Sequence, residues 1–259
     1  MKKIFVYSVI TLIIITSIII WYRAEKVITR TTSPSLDTVI VGTNAEFQPF
    51  SFKDEDTITG FDIDVVTEAL KRLGKKIIFK DMPFDALIPE IQLGNIHIIA
   101  AGITPTKERA QRALFTNPHL TGDPLGIISL KTDNPIATIE ELAGKTVVVN
   151  EGYTADTYIS KQPGISIIRL SSPAASDGML ALNSGRADAY VAALNPMKPY
   201  FDKYGIENFV VAPIPGTEES SAFAVSKYYP ELRDAIQVTL DRMQEDGTLT
   251  ALKKQWNLS

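Results

Sequence analysis

Residues 101–109 of the chain read Ala-Gly-Ile-Thr-Pro-Thr-Lys-Glu-Arg, and they join the end of an apolar strand to the start of a helix. The strand is predicted over residues 96–100, a mostly apolar run with the composition of a buried strand. Small residues follow it, and then threonine and proline open a helix whose first backbone N–H groups have no partner within the helix. Together with the side chain of Arg109, these N–H groups predict a carboxylate site at the end of a strand of an α/β fold.

The composition of the chain is that of an ordinary globular protein. Of 259 residues, 45% are hydrophobic and 22% are charged, which is enough for one large or two medium domains. The formal net charge of −4 offers no basic surface, so we predict no binding to nucleic acid. The absence of cysteine excludes disulfides and thiol chemistry, and His97 and His119 are too few for a histidine metal cluster. We predict no cofactor and no metal, although composition leaves carboxylate metal sites open.

The N-terminal segment differs from the rest of the chain. Residues 4–22 are uncharged and mostly apolar, with basic residues on both sides. This length predicts a hydrophobic helix that is either an uncleaved membrane anchor or the core of a cleaved signal peptide. The run ends on Ile-Ile-Ile-Trp-Tyr without a small-x-small step, which favours the anchor. Residues 1–36 are therefore predicted as signal peptide or anchor plus tether, and the body as periplasmic or extracytoplasmic.

From residue 38 onward, strand-like and helix-like segments alternate. Strands are predicted over 38–42, 76–80, 96–100, 125–130, 145–149, 166–170, 187–192 and 208–213. Helices are predicted over 61–73, 84–93, 107–114, 139–143, 154–161, 173–185, 230–244 and 248–256. The alternation predicts α/β sheets of mostly parallel strands, with ligand sites at the carboxyl ends of the strands. The alternating segments form two successive sets, and the C-terminal helices are predicted to rejoin the first set. This arrangement predicts two lobes.

Several short motifs occur in a fixed order along the chain. They are 42–50 (GTNAEFQPF), 60–64 (GFDID), 84–89 (FDALIP), 101–109 (AGITPTKER), 185–189 (GRADA) and 246–248 (DGT) with Trp256. Each is weak alone, but together, over about five-sixths of the chain, they resemble the periplasmic polar amino-acid-binding proteins of ABC importers, solute-binding protein family 3. The resemblance implies a two-lobe periplasmic binding protein of type II, each lobe an α/β sheet, preceded by an N-terminal hydrophobic helix.

The resemblance also implies an arrangement of the lobes. Two crossing strands near 120–124 and 217–222 would join lobe one, residues 38–120 and 221–259, to lobe two, residues 123–217. The lobes would close on a ligand in the cleft between them. The implied function is capture of an amino acid, foremost a polar or cationic one, or a close carboxylate relative, and its delivery to an ABC permease.

Residues that bind the ligand carboxylate are implied in the stretch that begins at Ala101. Arg109 matches the arginine that holds the α-carboxylate, for which a guanidinium offers a planar two-point fork. Thr104 matches a second carboxylate donor, and Gly102 a residue whose carbonyl accepts from the ligand ammonium. The alternatives are a surface arginine, a helix-capping threonine and a glycine required by packing.

The walls of the cleft are implied by aromatic residues. Phe47 and Phe84 match the two rings that enclose the ligand side chain, with core packing as the alternative. Asn44 lies where family members with cationic ligands often carry an aspartate, so it would hydrogen-bond the ligand without supplying charge. Glu46 beside it would supply the charge, or is an exposed loop residue.

The lobe-two side departs from the family pattern. Thr154 matches a donor that closes over the carboxylate, or is a plain helix cap. Tyr153 is bulkier than the usual residue, and either narrows the cleft or points away. Ala193 stands where the family places an acidic partner for the ligand ammonium, and an unpaired buried ammonium is costly. Either another acid pairs the ammonium, with Glu46, Glu151 and Glu219 as candidates, or the ligand is not a plain α-amino acid.

Two other functions remain open on the same scaffold. A few relatives are dehydratases, for which Glu151 or Glu219 would act as general acid or base. No nucleophile, base and orienting group occur together in a motif, so no catalytic residue is predicted and the protein is predicted not to be an enzyme. A ligand sensor that acts through a membrane partner is the other alternative.

Overall fold

The structure is a computed structural model of the chain, and it describes residues 36–132, 134–171 and 175–258. The hydrophobic helix predicted over residues 4–22 lies outside the described residues. The body of the protein begins at Thr38. Within the described ranges, no helix is both long and apolar enough to cross a membrane.

Strands and helices alternate along the body. In chain order the strands are β1 (Thr38–Thr43), β2 (Glu46–Phe47), β3 (Ser51–Asp54), β4 (Thr57–Thr59), β5 (Lys76–Asp81), β6 (Ile98–Ile99), β7 (Leu114–Phe115), β8 (Leu120–Asp123), β9 (Leu125–Leu130), β10 (Thr146–Asn150), β11 (Ser166–Leu170), β12 (Ala189–Ala193), β13 (Phe209–Pro213), β14 (Glu219–Ser221) and β15 (Ala224–Val225). The α-helices are α1 (Phe61–Arg72), α2 (Phe84–Leu93), α3 (Lys107–Ala110), α4 (Thr154–Ile159), α5 (Ala175–Asn183), α6 (Lys198–Tyr204), α7 (Pro230–Glu245) and α8 (Thr248–Gln255).

The first sheet has the strand order β5-β1-β6-β15-β7. β1 pairs in parallel with β5 and β6, and β15 pairs antiparallel with β6 and β7. Leu87 and Ile91 of α2 pack with Ile99 of β6 and Ala224 of β15 in one buried cluster. Burial of this apolar face fixes α2 against the sheet, and with it the position of Phe84 at the start of the helix.

The second sheet has the order β11-β10-β12-β9-β13. Alternate residues of β10 face opposite sides, as a strand requires: Val147 and Val149 join one buried cluster and Val148 joins the other. β10 pairs in parallel with β11 and β12, whereas β9 pairs antiparallel with β12 and β13. The predicted α/β class with two sheets is therefore confirmed.

A two-stranded ribbon connects the sheets. β8 follows β7 of the first sheet and leads into β9 of the second, while β14 follows β13 of the second and leads into β15 of the first. β8 and β14 pair antiparallel, with Asp123 opposite Glu219. The chain thus passes between the sheets at two adjacent strands. The exact division of residues between the lobes stays a prediction.

Several predicted elements were wrong in detail. The sheets are not mostly parallel, because β9 and β15 enter them directly from the ribbon without the crossover helix that a parallel pairing needs. The helix predicted over 107–114 ends at Ala110, since Leu114 and Phe115 pair with β15 instead. The small sheet β2-β3-β4 and helix α6 were not predicted.

Candidate functional site

Arg109 lies on the short helix α3, where the first sheet approaches the second. Its Nη1 donates to Thr104 O at 3.0 Å, and its Nη2 donates to Gly152 O, after β10, at 3.0 Å. The Cζ atom lies 5.2 Å from the centroid of the Phe84 ring, within cation–π range. Burial lowers the pKa of the Arg109 guanidinium, while the Glu219 carboxylate opposes that shift. The guanidinium therefore spans the cleft, held by two backbone carbonyls.

The backbone N–H groups at the start of α3 are less available for a ligand carboxylate than the sequence predicts. The backbone N–H of Arg109 donates to Thr106 Oγ1 at 3.2 Å, so the capping threonine takes it. The helix is only four residues long. In this structure the side chain of Arg109, rather than the helix terminus, is the group that faces the second lobe.

Gly102 fixes the position of the Phe47 wall. Its φ of +62° is a left-handed conformation, and a Cβ there would lie 2.8 Å from Phe47 Cε1. Phe47 also stacks on Phe50 with ring centroids 5.3 Å apart. The absence of a side chain at Gly102 thus lets the aromatic ring lie directly against the backbone of the 101–109 stretch.

Behind Gly102 lies a buried carboxylate that the sequence analysis missed. Gly102 N donates to Asp62 Oδ2 at 2.7 Å, and His119 Nε2 lies 3.0 Å from Asp62 Oδ1. Both side chains are almost fully buried, at 0% and 1% exposure. The available signal was Asp62 itself, an acidic residue between two apolar residues in the motif at 60–64. The pair holds the backbone of the 101–109 stretch in place at Gly102.

Tyr153 projects from the second lobe between the two aromatic walls of the first. Its ring stacks on Phe84, with centroids 4.1 Å apart and planes at 27°, and meets Phe47 edge-on at 5.3 Å. Its hydroxyl lies 3.5 Å from Asn44 Oδ1, a long contact. Burial raises the pKa of the Tyr153 phenol well above its ordinary value. Of the two alternatives that the sequence left open, the structure shows that Tyr153 narrows the cleft.

Two carboxyl groups lie on the ribbon that joins the lobes. Asp123 Oδ1 accepts from the backbone N–H groups of Leu194 and Asn195, at 3.1 and 2.9 Å. Glu219 accepts a hydrogen bond from Thr154 Oγ1. Burial raises the pKa of Glu219 to about 8, and the neighbouring Asp123 adds to the shift while Arg109 opposes it. Burial likewise raises the pKa of Asp123 to about 6, although the hydrogen bonds from the two backbone N–H groups lower it.

The structure separates the three glutamates that were candidates to replace an acid at Ala193. Glu219 lines the same two small cavities as Ala193. Glu46 and Glu151 are exposed, on β2 and on the loop after β10. Asn44 is buried, and its Nδ2 donates to Met82 O at 3.2 Å. Glu219 is thus the glutamate that the fold brings beside Ala193.

Little space remains between the lobes. One cavity is bounded by Phe47, Gly102, Thr104, Ala193 and Glu219 among others, and a second by Phe47, Tyr153, Thr154, Ala193 and Glu219 among others. Each has a volume of about 10 Å³, which is room for about one water molecule. A wider groove of about 500 Å³ lies at the mouth of the cleft, beside Phe84, Arg109 and Gly152. An amino-acid-sized ligand therefore needs a movement of the lobes or of a side chain between them.

The described residues contain no group of three or more His, Cys, Asp or Glu side chains placed to hold a metal ion.

Comparison with known proteins gives consistent matches over the whole body. The profile of the bacterial extracellular solute-binding proteins, family 3, matches residues 39–259. The arginine-binding extracellular protein ArtP of Bacillus subtilis is 30% identical over 220 residues, which cover 84% of this chain and 85% of that protein. The histidine-binding periplasmic protein of Escherichia coli K12 is 28% identical over 224 residues, covering 83% and 86%.

Solved structures match the fold over a similar length. An ancestral arginine-binding protein bound to arginine superimposes with a TM-score of 0.78 at 33% identity, covering 85% of this chain and 98% of that chain. The ancestral amino acid-binding protein AncCDT-1, a precursor of cyclohexadienyl dehydratase, gives a TM-score of 0.75 at 32% identity, covering 90% and 98%.

Proposed function

The chain belongs to the bacterial extracellular solute-binding proteins of family 3, and from this premise we propose that it captures a free amino acid in the cleft between its lobes. The resemblance inferred from the sequence motifs is thereby confirmed, as is the two-lobe fold. Members of the family are amino-acid-binding proteins of ABC importers, so delivery of the ligand to a membrane permease completes the function. The observation that carries the proposal is geometric: Arg109 reaches across the cleft to Gly152 O, and Glu219 lines both small cavities between the lobes, so the cleft offers a cation for a ligand carboxylate and a carboxyl group for a ligand ammonium.

The carboxylate half of the site centres on Arg109. The two backbone carbonyls that now accept from its guanidinium are neutral, and a ligand carboxylate forms stronger, charge-assisted hydrogen bonds. The ligand would therefore replace Gly152 O on Nη2. Thr104 lines one of the two small cavities and Thr154 the other, so they are the proposed donors from the first and second lobes. Because both lobes contribute, a bound carboxylate favours the closed arrangement.

The amine half of the site centres on Glu219, which supplies the acid that Ala193 does not. Its carboxyl shares both small cavities with Ala193, and Asp123 lies opposite it on the ribbon. Burial is the main cause of the raised pKa of Glu219 and the charge of Asp123 adds to it, so a ligand ammonium beside the two groups would favour the ionised carboxylate. Glu46 and Glu151 are exposed and would pair a ligand only at the surface. Glu219 therefore takes the role of the acidic residue that other family members carry at the position of Ala193.

The ribbon β8–β14 is the hinge in this proposal. It is the connection between the two sheets, and its carboxyl groups are hydrogen-bonded to the second lobe through Thr154, Leu194 and Asn195. Lobe one would comprise residues 38–120 and 221–259, and lobe two residues 123–217. Bending at the ribbon would open the cleft, as in hinge closure of other two-lobe proteins.

The cellular location follows the family in part. Relatives are periplasmic or extracellular binding proteins, which places the body outside the cytoplasm. We propose further that residues 4–22 either anchor the protein in the cytoplasmic membrane or are removed as a signal peptide. Intact-mass measurement of the protein purified from its host distinguishes the two, because a cleaved signal removes the whole apolar run.

Calorimetric titration with a panel of common amino acids, opines and dicarboxylates tests the proposal. At least one amino acid should bind with saturation and without turnover. Arg109→Ala should weaken that binding by at least about 100-fold, because it removes a charge-assisted carboxylate pair. Arg242→Ala removes an exposed arginine on α7, so it is the matched control and should bind like the unmodified protein.

Two results of this experiment would refute the proposal. Near-native affinity in Arg109→Ala would show that the carboxylate binds elsewhere. Conversion of the ligand to a product would favour the dehydratase alternative, in which Glu219, whose pKa lies near neutral, acts as the general acid.

A further inference from the structure

The side chain of Tyr153 occupies space that a ligand on Arg109 would otherwise use. A carboxylate held by the guanidinium lies beside the Phe84 ring, because the Arg109 Cζ is 5.2 Å from that ring. The substituent on the neighbouring α-carbon would then extend between Phe84 and Phe47. Tyr153 is in contact with both rings, at 4.1 and 5.3 Å between centroids.

Both walls are held in place by their neighbours. Phe84 belongs to the buried cluster of α2 and the first sheet, with 7% of its surface exposed. Phe47 is confined between Phe50 and the backbone of Gly102. A tightly packed core resists the displacement of aromatic rings. A long ligand side chain and Tyr153 therefore compete for the same space between the Phe84 and Phe47 rings, which we call the slot.

Closure itself brings Tyr153 into the slot, since the ring and the walls belong to different lobes. Tyr153 follows β10 of the second sheet and precedes the first residue of α4. Gly152, with φ of +76°, brings the backbone close to α2, where a Cβ would lie 3.4 Å from Asp85 Cβ. In the structure the ring of Tyr153 fills the space between Phe84 and Phe47, and opening of the cleft would withdraw it.

We propose that Tyr153 takes the position of the ligand side chain, so that this protein selects amino acids with short side chains and rejects long ones. This inference rests on the proposed function, because it assumes that the ligand carboxylate binds Arg109. A short ligand requires only a small displacement of Tyr153 or of the lobes, so most of the contact between Tyr153 and the walls is kept when the cleft closes. A long one holds the cleft open, and so loses the contacts of the second lobe.

Calorimetry on three proteins tests the inference: the unmodified chain, Tyr153→Ser and Tyr153→Phe. The probes are L-alanine and L-serine as short ligands, and L-glutamine and L-arginine as long ones. The unmodified protein should bind a short ligand at least about 10-fold more tightly than either long one. Tyr153→Ser should bind glutamine or arginine at least about 10-fold more tightly than the unmodified protein does. Tyr153→Phe keeps the ring and should keep the rejection of long ligands.

The outcomes separate this inference from the proposed function. If the unmodified protein binds arginine or glutamine as tightly as alanine and serine, Tyr153 leaves the slot and the inference is wrong, while the proposed function stands. If no amino acid binds to any of the three proteins, the proposed function fails and this inference with it. The preference of the unmodified protein among the four probes decides the question even if Tyr153→Ser does not fold.

Discussion

The two lobes are built on separate sheets with the same pattern of strand pairing, but they contribute to the cleft in different ways. Each sheet has two parallel pairings followed by two antiparallel ones. The first lobe presents a fixed surface, in which Gly102 is held by the buried Asp62, Phe47 by the backbone of Gly102, and Arg109 by Thr104 O. The second lobe presents a short loop, residues 151–154, that contacts this surface through Gly152 and Tyr153 and contacts the ribbon through Thr154. In the proposed function, recognition of the ligand is thus divided between a preformed half and a half that completes the site on closure.

The fixed character of the first lobe is most directly tested at Asp62. Asp62→Ala removes the acceptor of Gly102 N and leaves His119 without its buried partner. Leaving buried polar groups unpaired should lower the free energy of unfolding by about 3 kcal/mol. Urea denaturation followed by circular dichroism measures the loss.

The control for this experiment is Glu68→Ala, also on α1, which removes a carboxylate from a partly exposed pair with Arg72. It should change stability by less than about 1 kcal/mol. Equal losses in the two variants would mean that the Asp62–His119 pair is not a special support of the first lobe.

The two carboxyl groups on the ribbon, those of Glu219 and Asp123, predict that the stability of the folded protein depends on pH. The pKa of Glu219 is raised to about 8 in the folded protein, from 4.5. The folded state therefore binds more protons than the unfolded state between these values, and its stability should fall as pH rises from about 4.5 to about 8. Asp123, raised to about 6 from 3.8, adds to the fall in the lower part of this range. Glu219→Gln should flatten the upper part in thermal unfolding.

Ligand binding should show the complementary dependence. A ligand ammonium requires ionised Glu219, so affinity should rise by up to about 10-fold per pH unit between pH 6 and pH 8, with release of up to one proton. The groups that face Glu219 are Asp123 on β8, Arg109 on α3, and Tyr153 and Thr154 before and on α4. Calorimetry in two buffers of different ionisation enthalpy counts the protons. Binding without proton release would place the ammonium elsewhere.

Substitution of Gly102, which lies against Phe47, should lower the stability of the protein by a smaller amount, and the contacts it disturbs lie within the first lobe. Gly102→Ala should cost about 1–2 kcal/mol of stability through its left-handed φ, and more through the clash with Phe47. Gly74→Ala has a similar φ of +67° but no atom within 4 Å of the added Cβ, so it reports the backbone cost alone. The difference between the two variants in urea denaturation measures how firmly Phe47 is held. No difference would show that the wall moves freely.

The sequence predicts the fixed lobe better than the moving one. Arg109, Gly102, Phe47 and Phe84 belong to short motifs whose local spacing places them near strand ends, and the structure brings them together. Their roles in ligand binding stay predictions.

Contacts across the cleft depend on pairs far apart in the chain, and local patterns do not reveal them. Thr154 and Glu219 are separated by 65 residues, and Tyr153 and Asn44 by 109. The orientation of Tyr153, and the choice of Glu219 over Glu46 and Glu151, therefore became visible only in the folded chain. For the same reason the sequence predicted parallel strands where the ribbon imposes antiparallel ones.

The smallest predicted effect concerns the ligand-free protein, and it tests whether the second lobe closes through its own contacts. Tyr153 stacks on Phe84 and meets Phe47 edge-on, and such ring contacts contribute roughly 1 kcal/mol. Tyr153→Ser should therefore shift the ligand-free equilibrium toward the open form by about fivefold. Small-angle X-ray scattering should show a larger radius of gyration for this variant than for Tyr228→Ser, which removes an exposed ring outside the cleft. Because the first lobe is already fixed, an unchanged radius would mean that the ribbon, and not the tyrosine, holds the lobes together without ligand.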